Sequence, residues 1–295
     1  MSRAKLYIGT SGWSYPDWAG IVYPKSKHVD QLRCIAQYFN AVEINTSFYR
    51  PPTAAMAASW VKRTSDAGDF HFTLKLWQRF THERAEPYTA QDVALFRGGI
   101  EPLAASGRLG GILIQFPWSF QNGPEAQELI SRLCKDFGDY NRWIEVRHNS
   151  WDDPECYKLF QELKLGFANI DQPVSKTSIA PSATLTSDSA YVRLHGRNYK
   201  AWFDRNAGPN EKYNYLYDEE ELKEWVDNIQ VLREKALTVY AFLNNHYRGQ
   251  APTNALQLAS RLTGKRVSVP AELMETYPEL RDIALTDGDH TGNLF

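Results

Sequence analysis

Cysteine, long apolar runs and a secretion signal are scarce or absent in this sequence. The chain of 295 residues has three cysteines, Cys34, Cys134 and Cys156, which lie far apart and form no C-x-x-C pair. That usage argues against a disulfide framework or a zinc–thiolate site and is typical of a reducing compartment. No run of about 18 apolar residues provides a membrane span, and residues 1–5 lack the apolar core of a signal peptide. We therefore expect a cytoplasmic protein without membrane contact.

An excess of basic charge is also missing. Lys and Arg together number 33 and Asp and Glu 35, which gives a net charge of −2. This excludes a globally basic nucleic-acid-binding protein but leaves a local basic patch open. The P-loop, G-x-S-x-G and Rossmann glycine motifs are absent. Residues 82–86 read H-E-R-A-E, one histidine short of the zincin motif, and Pro87 disfavours the helix that this motif needs.

What the chain does have is an alternation of short apolar runs and longer amphipathic stretches. The short runs are nearly continuous in apolar residues, as is typical of parallel strands covered on both faces. The predicted strands are residues 6–9, 41–45, 71–76, 111–115, 143–147, 166–170, 190–195 and 238–244. The predicted helices, with their caps, are residues 28–39, 53–65, 125–137, 153–164, 218–234 and 253–263.

This alternation predicts a (β/α)8 TIM-type barrel. We expect a single domain over residues 1–295, with its core at about 5–264 and a short C-terminal extension at 265–295 that is frayed at 286–293. Residues 172–189 are rich in Ser, Thr and Pro, so the sixth helix should be short or missing. The competing architecture is an open doubly wound sheet, but G-T-S-G at residues 9–12 matches its glycine-rich phosphate turn only weakly.

Polar side chains collect where the predicted strands end, the face of a barrel that carries active sites. Several lie two residues apart and therefore share one face of a strand. These pairs, which we expect in the barrel lumen, are Glu43 with Asn45, Glu145 with Arg147, Asn169 with Asp171, and Arg193 with His195. The alternative is that Glu145 with Arg147, and Glu43 with Lys75, are internal ion pairs that bind no ligand.

Basic groups outnumber acidic groups among the charged side chains at these strand ends. The basic residues are Lys75, Arg147, Arg193 and Arg248, and the acidic residues are Glu43, Glu145 and Asp171. Because arginine suits bidentate binding of phosphate, the sequence predicts a small anionic or phosphorylated ligand. Aromatic residues in the loops after the strands, Trp118 and Trp202 among them, suit a base or sugar ring attached to that phosphate.

A divalent metal is the alternative occupant of this face. Carboxylates and imidazoles can share Zn²⁺ or Mn²⁺, and the candidates are Glu43, Glu145, Asp171, His148 and His195. The neighbouring lysine and arginine side chains would repel a cation. We therefore predict no cofactor and no metal ligands, and keep the metal as the alternative.

Several segments together resemble one known family. They include I-G-T-S-G-W-S-Y at residues 8–15, V-E-I-N-T-S-F-Y at 42–49, I-E-V-R-H-N-S-W at 144–151 and F-L-N-N-H-Y-R-G-Q-A-P-T-N at 242–254. In their order over residues 6–262 they resemble the YecE-like family, a domain of unknown function (DUF72). The resemblance implies a TIM-type barrel but supplies no activity, because the family has no established reaction.

Residues that match the family's motifs are the candidate site residues. The predicted catalytic residues are Glu43, Glu145, Asp171 and His195. The predicted ligand-binding residues are Asn45, Tyr49, Lys75, Gln115, Arg147, His148, Asn169, Arg193 and Asn245.

The leading functional hypothesis is an intracellular enzyme that acts on a nucleotide, a nucleic-acid end or a sugar phosphate by acid–base chemistry. Lys75, Arg147 and Arg193 would hold the anion, and a carboxylate paired with His195 would transfer the proton. One alternative is a metal-dependent phosphodiesterase or nuclease. Another is a non-catalytic module that binds nucleic acid or protein. Single-stranded nucleic acid is a candidate partner in addition to the small anionic ligand. The oligomeric state is left open.

Overall fold

Eight parallel strands close into a barrel. The computed structural model describes residues 4–204 and 206–286 of the chain. The strands follow one another around the barrel in chain order, and the last pairs with the first. They are β1 (Lys5–Ser11), β2 (Ala41–Ile44), β3 (His71–Lys75), β4 (Leu109–Gln115), β5 (Arg142–Glu145), β6 (Gly166–Asp171), β7 (Ser189–Leu194) and β8 (Thr238–Leu243). This closed order confirms the predicted (β/α)8 barrel.

Helices surround the barrel in the connections between the strands and after the last strand. They are α1 (Gln31–Ile35), α2 (Ala54–Arg63), α3 (Gln78–Thr81), α4 (Ala90–Ala105), α5 (Pro124–Asp136), α6 (Pro154–Glu162), α7 (Tyr199–Phe203), α8 (Pro209–Lys212), α9 (Glu219–Lys235), α10 (Gln250–Thr263) and α11 (Ala271–Thr276). The α6 and α9 helices begin after the aspartate caps Asp153 and Asp218, which accept hydrogen bonds from backbone N–H groups of the first turn. None of the helices in the described ranges has the length and apolar character needed to cross a bilayer.

The long α4 helix is absent from the sequence prediction. Gly98, Gly99 and Pro102 lie in its second half, and both residue types have low helix propensity. Close packing explains Gly99, because a Cβ atom there would lie 2.0 Å from the carbonyl oxygen of Pro52. The capping box formed by Thr89 and Asp92 marks the start of α4 and is the signal that the prediction missed.

The sixth connection contains no helix. Residues 172–188, all of them described, run from β6 to β7 in turns and irregular structure. This confirms the prediction that the sixth helix is short or missing, because these residues contain none. Ile179 N–H donates to the carbonyl of Arg147 (2.9 Å) and Asn149 N–H to that of Thr177 (2.9 Å), so this loop packs along the segment that follows β5. Arg147 and His148 therefore lie beyond the end of β5, although the sequence prediction continued the strand to residue 147.

Aromatic side chains close the N-terminal end of the lumen. The Tyr7 ring stacks on His71 at 4.1 Å and on Tyr240 at 4.9 Å, centroid to centroid. Trp143 lies against Tyr191 and Tyr240 just above them. This plug leaves the C-terminal mouth as the end of the lumen where polar groups gather.

The segment that follows α10 returns to the barrel wall. Val267 forms a bridge with Ala284, and Leu273 and Leu280 are fully buried. The expected fraying at residues 286–293 falls, apart from Thr286, outside the described residues. The division into a core and an extension stays a prediction.

Candidate functional site at the C-terminal mouth

The centre of the mouth is an arginine between two glutamates. Arg193 is 1% exposed, and Glu43 and Glu145 are fully buried. Arg193 Nη2 donates to Glu43 Oε1 (2.7 Å), and Nη1 donates to Glu145 Oε2 at the other side. Three strands position this triad, because Glu43 lies on β2, Glu145 ends β5 and Arg193 lies on β7. Such a buried group of charges is tolerated only when each charge is paired and hydrogen-bonded.

Each glutamate is saturated by further donors. Glu43 accepts hydrogen bonds from Ser11 Oγ (2.8 Å) and from the Tyr191 hydroxyl (2.7 Å). Glu145 Oε1 accepts from Arg147 Nη2 (2.8 Å) and Nε (3.2 Å). Burial alone would raise the pKa of Glu145, but Arg193, His195 and Arg147 hold that pKa well below its usual range. The Glu145 carboxylate is therefore ionised at any physiological pH.

His195 is a neutral member of the cluster. It is fully buried, and burial lowers its pKa to about 4. The Asn244 side-chain amide lies 2.9 Å from Nδ1, while Nε2 lies 3.4 Å from Glu145 Oε1. A proton on Nε2 lets Asn244 donate to Nδ1 and turns the ring N–H toward the carboxylate, whereas a proton on Nδ1 leaves Nε2 to accept from Arg193 Nη1 at 3.4 Å. In the first arrangement His195 orients Glu145 rather than carrying charge.

Lys75 differs from Glu43, Glu145, Arg147 and Arg193 because it forms no ion pair in the described ranges. The side chain is half-buried at the end of β3, and its Nζ lies 4.2 Å from the centroid of the Phe48 ring. Within the described part of the chain, Nζ makes no hydrogen bond or ion pair. Burial lowers the pKa of Lys75 to about 7, and the charge of Arg193 acts in the same direction. Lys75 thus titrates near neutral pH at the entrance to the site.

The charges at the mouth do not cancel when Lys75 is protonated. The cations are then Lys75, Arg147 and Arg193, against the carboxylates of Glu43 and Glu145, which leaves one positive charge in excess. His82, beside Phe48, adds none, because burial lowers its pKa to about 4. The electrostatics of the mouth therefore favour an anion over a cation.

Two predicted site residues on β6 point away from the lumen. Asp171 accepts hydrogen bonds from Arg197 Nε and from Trp225 Nε1 of α9, so it faces the helix layer. Asn169, two residues earlier, holds the β6–β7 loop by accepting from Ser182 Oγ (2.7 Å) and Thr184 N–H (2.7 Å). The expectation that this pair faces the lumen is corrected: both faces of a buried parallel strand are covered, so the period of two does not show which face is inside.

The remaining predicted residues lie around the mouth without joining the triad. Asn245 bonds to the Tyr215 carbonyl and to Asn254 of α10, on the outer face. His148 Nδ1 accepts from Ser150 N–H, and Gln115 Nε2 donates to the Phe116 carbonyl. Asn45 follows β2, and its buried Oδ1 has no hydrogen-bond partner in the described ranges. Tyr49 is 70% exposed at the rim.

Other residues complete the cluster, although the site prediction does not contain them. Ser11 and Tyr191 bond Glu43, Asn244 bonds His195, and Phe48 lies under Lys75. Tyr191 could have been found by counting, because it lies two residues before Arg193 on the same strand. Phe48 could not, since it lies on a short turn of 3-10 helix (Thr46–Phe48) whose direction is set by packing.

No group of His, Cys, Asp and Glu side chains that could hold a metal ion occurs in residues 4–204 and 206–286. Arg193 lies between the two glutamates and uses the oxygens that a metal would need. The donor set therefore fits an ion-paired cluster with an open cationic edge.

Fold and mouth together define a class of protein: a (β/α)8 barrel with a buried, ion-paired cluster at the C-terminal ends of its strands. The chain belongs to the family described as protein of unknown function DUF72, whose model matches residues 7–278.

Two curated relatives support this assignment. The UPF0759 protein YunF of Bacillus subtilis is 30% identical over 271 residues, which cover 87% of this chain and 94% of YunF. The UPF0759 protein YecE of Escherichia coli K12 is 31% identical over 144 residues, 48% of each chain.

Solved structures show the same fold. A DUF72 family protein (TM1631) from Thermotoga maritima matches with a TM-score of 0.76 and 34% identity, over 88% of this chain and 99% of its own. A second (EF0366), from Enterococcus faecalis, has a TM-score of 0.77 and 23% identity over 87% and 95% of the two chains. The second likeness shows the fold alone.

Proposed function

We propose that this protein is an enzyme that binds a phosphate-bearing ligand at the C-terminal mouth of the barrel. The observation that carries the proposal is the excess positive charge of the cluster, concentrated on an ammonium group, Lys75, that has no ionic partner among the described residues. A phosphate oxygen beside Nζ would supply the missing charge, and a charge-assisted hydrogen bond of this kind is strong in a partly buried site.

Lys75 and Arg147 are the groups that would touch the phosphate. Arg147 uses Nε and Nη2 on Glu145, while its Nη1 makes no hydrogen bond in the described ranges. Arg193 has both terminal nitrogens bonded to glutamates and is 1% exposed, so it acts from behind. We therefore propose that Arg193 holds the two glutamates in place and contributes to the positive potential at the mouth. Lys75 and Arg147 make the direct contacts with the phosphate.

Lys75 is also the group best suited to move a proton. Its pKa of about 7 allows both protonation states at neutral pH, as acid–base catalysis requires. Glu43 and Glu145 are fully buried and have their oxygens occupied by donors. We propose that these two glutamates and His195 are positioning residues, which fix the guanidinium groups and tune Lys75.

Calorimetric titration with inorganic phosphate and ribose 5-phosphate tests the proposal. Lys75→Met and Arg147→Ala should each weaken binding by about tenfold or more, the cost of losing a charge-assisted hydrogen bond. Arg50→Ala is the matched control. Arg50 is an exposed cation in the segment after β2, and it forms no ion pair in the described ranges. Equal affinity in all three variants and the parent would overturn the assignment.

Activity assays with phosphorylated compounds, carried out beside the titration, distinguish the alternatives. Hydrolysis of a phosphodiester that starts only when Mn²⁺ or Mg²⁺ is added would favour the metal-dependent phosphodiesterase. Phosphate binding without turnover of any phosphorylated compound would favour the binding module.

A further inference from the structure

A cavity of about 490 Å³ opens beside Arg147 at the edge of the mouth. Its walls include Trp118, Trp202, Phe203 and the buried Gln172. The volume lies in the range of sites that hold small organic ligands. Arg147 belongs both to this cavity and to the charged cluster, so a molecule with an anionic and an uncharged part could occupy both at once.

The cavity is walled by aromatic rings that the fold does not cover. Trp118 is 46% exposed and Phe203 is 48% exposed, whereas Trp143 and Trp151 are fully buried. The Trp202 ring lies 5.5 Å from the guanidinium carbon of Arg147. Exposed aromatic surface gathered at a polar cleft is the usual mark of a binding site, and flat rings favour a flat ligand.

The second observation is a buried amide without a partner. Gln172 is 3% exposed and lines the cavity, and its side chain makes no hydrogen bond in the described part of the chain. Side-chain amides in such nearly buried positions are nearly always hydrogen-bonded to protein or to ordered water, and a ligand in the cavity can take the place of that water on Gln172. The amide offers a donor beside an acceptor, the pattern that matches the edge of an adenine ring.

The other polar groups of the cavity help to exclude other ligands. The hydroxyls of Ser175 and Ser178 lie 2.9 Å apart and bond to each other. The lining groups that make no hydrogen bond in the described ranges are the Gln172 amide, the Thr177 hydroxyl, the indole N–H groups of Trp118 and Trp202, and Arg147 Nη1. Most of these groups only donate, so the cavity offers few acceptors for the many hydroxyls of a sugar chain. A lipid tail would leave the Gln172 amide unsatisfied.

We infer that this cavity binds the heteroaromatic base of a nucleotide, with adenine the best match. The base lies against Trp118 and Trp202, Gln172 bonds its edge, and the phosphate reaches Arg147. The phosphate half of this inference rests on the proposed function. The base belongs either to a free nucleotide or to the terminal residue of a single-stranded nucleic acid.

Titration with matched ligands tests the inference. AMP should bind about fivefold to a hundredfold more tightly than ribose 5-phosphate, the range that stacking of one base supplies. Gln172→Leu and Trp118→Ala should each remove most of that advantage and leave the affinity for ribose 5-phosphate unchanged. Val174→Ala is the control, because Val174 is 46% exposed in the same loop and does not line the cavity.

The outcomes separate this inference from the proposed function. Adenosine binding that is lost in Gln172→Leu, without any phosphate affinity, would support the cavity and refute the anion site. A 5′-phosphorylated oligoadenylate that binds when AMP does not would support the cavity and identify the nucleic-acid end as its source. Equal affinity for AMP and ribose 5-phosphate, or an AMP preference unchanged in both cavity variants, would overturn the inference.

Discussion

The two ends of the barrel contain the same kinds of polar residue and use them differently. At the N-terminal end, the Tyr7 hydroxyl donates to Asp69 (2.8 Å), His71 lies 3.1 Å from the same carboxylate, and Lys5 pairs with it at 3.2 Å. At the C-terminal end, a tyrosine, a histidine and a lysine again surround carboxylates, but Lys75 has no ionic partner in the described ranges.

The cavity volumes at the two ends do not correlate with this difference in charge pairing. The larger cavity, about 980 Å³, lies at the N-terminal end and is lined by residues of both signs. Several of those are paired across the surface, among them Arg33 with Asp66 and Arg63 with Asp30. The smaller cavity adjoins the end with excess charge. The proposed site therefore rests on the charge of Lys75, unpaired among the described residues, and not on cavity volume.

The strongest test of this contrast removes the central charge of the mouth. Arg193→Met leaves two buried carboxylates without their shared partner and should lower the free energy of unfolding by about 3–5 kcal/mol. Lys5→Met at the other end breaks only an exposed pair and should cost about 1 kcal/mol or less. Urea unfolding curves of the two variants measure both values.

A triple variant tests whether the lost free energy of unfolding comes from buried carboxylates that have no cationic partner. Glu43→Gln and Glu145→Gln added to Arg193→Met should recover part of the lost stability, because no buried carboxylate then remains unpaired. A triple variant less stable than Arg193→Met would contradict this account.

The second test concerns the stability that the protein loses because the Lys75 ammonium is desolvated. The pKa of Lys75 in the folded state, about 7, lies below the ordinary lysine value. At a pH between these two pKa values the unfolded state binds more protons than the folded state, so the free energy of unfolding rises with pH. Lys75→Met removes this dependence. The stability gained by the variant should shrink by on the order of 1 kcal/mol per pH unit as the pH rises from about 7 to 10.

Paired measurements of unfolding at each pH isolate the lysine, because other titrating groups affect parent and variant alike. A constant difference between parent and Lys75→Met across this range would mean that the amine is not desolvated.

The third test makes one change at both ends. Tyr191→Phe removes a hydrogen bond to the fully buried Glu43 and should cost about 1.5–3 kcal/mol. Tyr7→Phe removes the bond to Asp69, whose side chain is 61% exposed, and water can replace it, so about 0.5–1 kcal/mol is expected. Equal losses in thermal unfolding would show that the two networks are buried alike.

Sequence reasoning recovers the barrel and the charges of the mouth because both follow from short-range rules. Apolar runs give the strands, and the spacing of two residues correctly places Arg193 and His195 on one face. The same rule placed Asn169 and Asp171 in the lumen wrongly, because spacing fixes a shared face and not its direction.

Properties that depend on distances between strands are beyond such rules. The missing partner of Lys75 follows from Arg193 taking both glutamates, and these residues lie on β3, β7, β2 and β5. The unpartnered amide of Gln172 depends in the same way on the path of a loop without helical or strand periodicity.

The smallest expected effect is the uptake of a fraction of a proton when an anion binds. If an anion binds beside Lys75, its charge should raise the lysine pKa from about 7 by roughly one to two units. At pH 8, binding of sulfate, whose own charge is fixed in this range, should then take up roughly 0.4 to 0.8 protons.

Calorimetry in two buffers of different ionisation enthalpy measures this uptake directly. Lys75→Met should abolish it, and Arg50→Ala should leave it unchanged. Sulfate that binds in the parent without proton uptake would place the anion away from Lys75, and the mouth would then resemble the N-terminal end, where Lys5, Arg33 and Arg63 pair with carboxylates of the protein.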